Sequence, residues 1–116
     1  TYPRMKSRLT IEIQAVGDSR PVLGHLTDIS LGGCFVKTSV ILPAGTRLKL
    51  VFSIDDGKLL AEGDVIRLDP GTGVAIDLGD TSLGDRVNIQ KVMEIVQNAS
   101  ADYDNTYVTK LREMSI

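Results

Sequence analysis

The sequence is poor in the residues that build most dedicated chemical sites. It holds one Cys, one His, no Trp, and only two Phe and three Tyr in 116 residues. One Cys makes no internal disulfide, which excludes a disulfide scaffold and leads us to expect a reducing, cytoplasmic setting. A single Cys with a single His does not supply a thiolate–imidazole zinc site. Five aromatic rings are too few for the stacking surface of a barrel that binds single-stranded nucleic acid, and the net charge of −2 has the wrong sign for it. No run of about 18 apolar residues is present, so no membrane insertion is expected. The first residues do not read as a charged-then-apolar secretory leader. A start at Thr1 suits one module of a longer protein.

Charge is unevenly spread. Arg4, Lys6 and Arg8 make the first eight residues a cationic segment without an acid, while the rest of the chain is net acidic. Screening over roughly 8 Å at physiological salt lets such a segment act locally whatever the total charge.

Period-two alternation dominates from Leu9 to Leu78. Leu9, Ile11, Ile13 and Ala15 alternate with polar residues, as on a strand with one buried face. Further strands are expected at about Val22–Ile29, Cys34–Thr38, Arg47–Ile54, Leu59–Leu68 and Gly73–Leu78. Gly17-Asp18-Ser19-Arg20-Pro21, Pro43-Ala44-Gly45, Asp55-Asp56-Gly57 and Asp69-Pro70-Gly71 punctuate them with turn residues. Six short strands at this spacing predict an all-β antiparallel barrel or sandwich. The period then changes. Ser82-Leu83-Gly84-Asp85 reads as a capping box, and Ile89, Val92, Met93 and Val96 fall on one face of a helix over about 82–98. Asn98-Ala99-Ser100 is expected to break it. Tyr103, Tyr107, Leu111 and Met114 then mark a second, shorter helix, docking on the barrel or on a partner. The expected organisation is a domain over 1–98 and a helical tail over 99–116.

Two short motifs carry the candidate chemistry. Arg4 and Arg8 form an RxxxR pair whose planar guanidinium groups match phosphate oxygens or a guanine edge. Alone, the pair is a weak signal and reads as a solvated basic terminus. Asp28-Ile29-Ser30-Leu31-Gly32-Gly33 holds a DxSxxG pattern. On a strand end Asp28 and Ser30 point to one face, and a carboxylate complements the N1–H/N2–H edge of guanine. Gly33 gives room for close approach or positive φ. The same residues also suit an Asx- or ST-turn with glycines at the bend. The strand–turn–strand stretch between the motifs brings Arg8 back toward Asp28.

RxxxR followed about twenty residues later by DxSxxG resembles the PilZ domain family, receptors for cyclic di-GMP. The resemblance extends to the Gly-led strand Gly73-Val74-Ala75-Ile76-Asp77-Leu78 and the helix after it. It implies a six-stranded antiparallel β-barrel with a C-terminal helix and no enzymatic activity. It implies cyclic di-GMP as ligand, no cofactor, and Arg4, Arg8, Asp28, Ser30 and Gly33 as binding residues. It further implies that the arginines close over the nucleotide and signal to a protein partner or fused domain. An interaction module that keeps the barrel without binding nucleotide is the competing reading. Pro3 stands where many family members carry a further Arg.

His25 and Cys34 are the remaining chemical candidates. Neither has a partner in the sequence that makes it a base or a thiolate, and Cys34 reads as a small buried apolar residue.

Overall fold

The computed structural model describes residues 5–7, 9–17, 20–54, 57–79 and 81–114, with backbone alone at 5–6 and 99–114. Seven strands and one helix follow in order: β1 (Met5–Lys6), β2 (Thr10–Ala15), β3 (Val22–Ile29), β4 (Gly33–Lys37), β5 (Arg47–Ile54), β6 (Gly57–Asp69), β7 (Gly73–Asp77) and α1 (Leu83–Met114).

Every strand pairing is antiparallel. The sheet runs β3-β2-β5-β6-β7-β4, and pairing of β4 back to β3 closes it into a six-stranded barrel. Closure removes the free edges that an open sheet would expose. The six barrel strands correspond to the six expected from alternation. Their inward residues fill the core: Ile11, Ile13, Leu26, Ile29, Cys34, Val36, Leu48, Leu50 and Phe52 are all at most 1% exposed. Cys34 is thus the packed apolar residue its surroundings suggested.

The turns follow their chemistry. At Asp69-Pro70-Gly71-Thr72 the Thr72 amide donates to the Asp69 carbonyl at 3.0 Å, and Gly71 takes φ 74°. Pro then Gly at the two central positions is the type II pattern, because only the second needs positive φ. The turn returns the chain directly into β7, with Asp69 paired to Gly73.

Helix α1 covers the barrel beside β6. Ser82 caps it: its hydroxyl accepts from the Asp85 amide at 3.1 Å. In a capping box the acidic side chain returns to the cap residue's own amide. Here Asp85 instead accepts from the Glu62 amide of β6 at 3.1 Å, and Asn88 donates to the Leu60 carbonyl at 2.7 Å. β7 pairs with β6 only from Asp64 onward, so the helix takes over the remaining length of that edge. Ile89, Val92 and Val96 are buried and join the core cluster.

One expectation changes at the C-terminus. The backbone stays helical through Asn98-Ala99-Ser100, in one element that ends at Met114, and a separate second helix is not shown. Those three residues include neither Gly nor Pro, and Asn and Ser cost a helix interior only tenths of a kcal/mol. The side chains of Tyr103, Tyr107, Leu111 and Met114 lie outside the described residues. Among the described residues, no helix is long and apolar enough to cross a membrane.

Candidate functional site

The β3–β4 connection is built around one hydroxyl. Ser30 Oγ accepts from the amides of Gly32 and Gly33 and donates to the Gly33 carbonyl, each at 3.2 Å. The Ser30 amide also donates to the Gly33 carbonyl at 2.8 Å, and the Leu78 amide donates to the Gly32 carbonyl. A hydroxyl offers one donor and two acceptor positions, so this turn uses all three. Ser30 is 4% exposed, next to Ile29 at 0%. The expectation that Asp28 and Ser30 point to one face is therefore corrected. β3 ends at Ile29, alternation stops there, and Ser30 turns inward to hold the bend. Among the described residues, positive φ falls on Gly17, Gly45, Gly57 and Gly71 and not on Gly33, which is buried at the head of β4.

Asp28 owes its direction to an irregularity. Consecutive pairs between β3 and β4 are Leu26↔Val36 and Asp28↔Phe35, which leaves Thr27 as an extra residue. Such a bulge lets two successive residues face outward. Leu26 and Ile29, three apart, consequently both reach the core, and Asp28 stays at the half-buried surface. Thr27 is fixed from two sides. Its hydroxyl donates to the Phe35 carbonyl at 3.2 Å, and its carbonyl accepts from the Ser7 amide at 2.9 Å. Strict period-two reading misses this residue. The signal was the apolar spacing of three between Leu26 and Ile29.

The second bond ties in the N-terminal segment. Met5 pairs with Ile29 and Lys6 with Asp28, while the Leu26 amide donates to the Leu9 carbonyl. β1 and β2 thus lie end to end along the same edge of β3. The cationic N-terminal segment contributes a short paired strand at Met5–Lys6. Arg4 and Arg8 themselves lie outside the described residues. Their neighbours Met5, Lys6, Ser7 and Leu9 run beside the part of β3 that carries Asp28.

Other charged groups are engaged elsewhere. Arg67 makes a two-pronged contact with Asp69 at 2.9 and 3.3 Å, and that hydrogen bond and charge hold its guanidinium pKa above the ordinary value. Arg47 sits 3.0 Å from Asp64 and 3.9 Å from Glu62. His25 is exposed on β3. Among the described residues, no group of three or more His, Cys, Asp or Glu comes together around a metal position.

The model of the PilZ domain matches residues 1–94. The chain belongs to the PilZ domain family. Solved PilZ structures share the fold. The PilZ domain of CeSA from a cellulose-synthesizing bacterium is 24% identical, with a TM-score of 0.70 over 82% of this chain and 98% of that one. The PilZ domain of YcgR from Escherichia coli, solved with c-di-GMP, is 15% identical with a TM-score of 0.71, covering 90% and 95% of the two chains. The Bacillus subtilis inhibitor of motility is 18% identical with a TM-score of 0.63, and this PilZ chain spans 51% of its length. Among curated proteins nothing matches.

Proposed function

We propose that this PilZ domain is a non-enzymatic receptor for cyclic di-GMP. The observation that carries the reading is the pairing of Lys6 with Asp28, which sets the RxxxR segment along the strand that presents the DxSxxG carboxylate. In this reading Asp28 accepts from the N1–H and N2–H of one guanine. Arg4 and Arg8 bind phosphate oxygens and the second purine face. Ser30 and Gly33 serve the site by holding the turn that follows Asp28. E. coli YcgR's PilZ domain was solved with c-di-GMP, which gives the ligand class a precedent on this fold.

Binding is coupled to output in the same proposal. α1 lies beside β1 as well as β6, so a lead-in segment that closes on the nucleotide alters what the helix presents. A protein partner or fused domain in the cytoplasm reads that change. The Tyr103–Met114 stripe docks on the barrel or on the partner, and deletion from Ala99 onward then shifts stability or oligomeric state. If it shifts neither, the docking role of the tail is wrong.

Calorimetric titration of the folded chain with cyclic di-GMP tests the central reading. Heat with saturable stoichiometry is the expected result, and it also counts the nucleotides per site. No heat at high micromolar ligand rejects the receptor and favours a nucleotide-independent interaction module on the same barrel.

A further inference from the structure

Phe35 lies in β4 between Cys34 and Val36, both 0% exposed and both in the core. Alternation places its side chain on the outside of the barrel, where it is half-buried and is not part of the core cluster. Among the described side chains the other aromatic ring is Phe52, which is fully buried.

The residues beside the Phe35 ring on the outer row of β7 are small. Across β7 it pairs with Ala75, whose neighbours Val74 and Ile76 point into the core, so Ala75 lies on the same outer row. Two residues back on that row is Gly73. A Cβ placed on Gly73 would come within 2.9 Å of Phe35 Cε1, so the ring rests over the glycine. Gly73 and Ala75 together form a floor without bulk, against which the ring lies. On its other side, Phe35 pairs directly with Asp28. Side chains opposite one another on antiparallel strands have Cβ atoms about 4.5–5.5 Å apart. A carboxylate suited to a guanine edge and an aromatic ring suited to a purine face are therefore immediate neighbours.

We propose that Phe35 is the platform on which the purine held by Asp28 stacks, and so a ligand-contact residue outside both sequence motifs. The proposal rests on the cyclic di-GMP reading. A base fixed by its hydrogen-bonding edge alone keeps its ring faces in water, whereas a ring beside that edge covers one face. Stacking of this kind is sequence-tolerant in itself, and Asp28 supplies the selection for guanine.

The test uses the intact chain with Phe35→Leu and Phe35→Trp, titrated with cyclic di-GMP beside wild type. Removing the ring is expected to weaken binding by about tenfold or more, while the larger ring keeps affinity within about threefold. Melting temperatures should stay close to wild type, because Phe35 is outside the core. In the wild-type complex, an intermolecular nuclear Overhauser effect should connect the Phe35 ring to guanine H8. Binding by Phe35→Leu within about twofold of a binding wild type, or no such effect in the complex, overturns the platform and leaves the receptor reading standing. A wild type that does not bind overturns both.

Discussion

The hydroxyl of Ser30 and the peptide group of Gly33 hold each other: the hydroxyl accepts from the Gly33 amide and donates to the Gly33 carbonyl, both at 3.2 Å. Two positions of the DxSxxG motif are thus bonded to each other.

Ser30→Ala is expected to destabilise the domain. It leaves the amides of Gly32 and Gly33 without their acceptor in a buried setting, a loss of about 1–3 kcal/mol. Urea denaturation with an unchanged m-value and a lower midpoint is the expected result. An unchanged midpoint would show that the turn does not depend on the hydroxyl.

Asp28→Ala should separate binding from folding in the opposite sense. The carboxylate sits at the half-buried outer face, where substitutions usually move stability by about 0.5 kcal/mol or less. Loss of detectable calorimetric heat with a melting temperature near wild type is expected, and the same for Arg8→Ala. Retained binding in Asp28→Ala would remove this residue from the site.

Gly73→Ala is expected to cost about 3 kcal/mol or more. A Cβ at this position overlaps the Val36 carbonyl oxygen and comes within 2.9 Å of Lys37 Cα, both backbone atoms that cannot step aside. Thermal denaturation reads the effect. Because the Phe35 ring also rests here, whatever folded protein remains should bind nucleotide more weakly.

Ser82→Ala and Asp85→Ala should each cost about 1 kcal/mol, through different bonds. Ser82 caps α1, whereas the Asp85 carboxylate accepts from Glu62 on β6. Hydrogen exchange at the Glu62 amide should therefore accelerate far more in Asp85→Ala. Equal acceleration in both would mean that Asp85 acts only through the helix.

Much of the barrel was legible in the chain. Leu48, Leu50 and Phe52 alternate with Arg47, Lys49, Val51 and Ser53, and all three are fully buried in β5. Ile89, Val92 and Val96 recur at helical spacing, and that face is the one buried. Asp69-Pro70-Gly71 announces a turn because each residue has a strong local preference. These signals are local, so a short window of sequence contains them. The candidate site was legible only in part. Asp28 and its motif stand out, but Ser30 was expected on the same face as Asp28 and is buried instead. Thr27 is marked only by the apolar spacing of three between Leu26 and Ile29, and Phe35 carries no sequence mark, since what distinguishes it is which residue lies opposite on another strand.

The sequence by itself determined the six barrel strands, the helix that follows them, and the pairing of a cationic segment with an Asp-Ser-Gly turn. Those features follow from periodicity and side-chain chemistry, which act within a few residues. The tertiary structure decided the register. Closure of β4 onto β3 left one residue too many at Thr27, and the resulting bulge is what keeps Asp28 outward while Leu26 and Ile29 both stay in the core. The same closure set Phe35 beside Asp28 and over Gly73, and pairing along β3 brought Lys6 to the same place. Hydrogen bonds between paired strands fix such relationships, and no single residue's local preference encodes them.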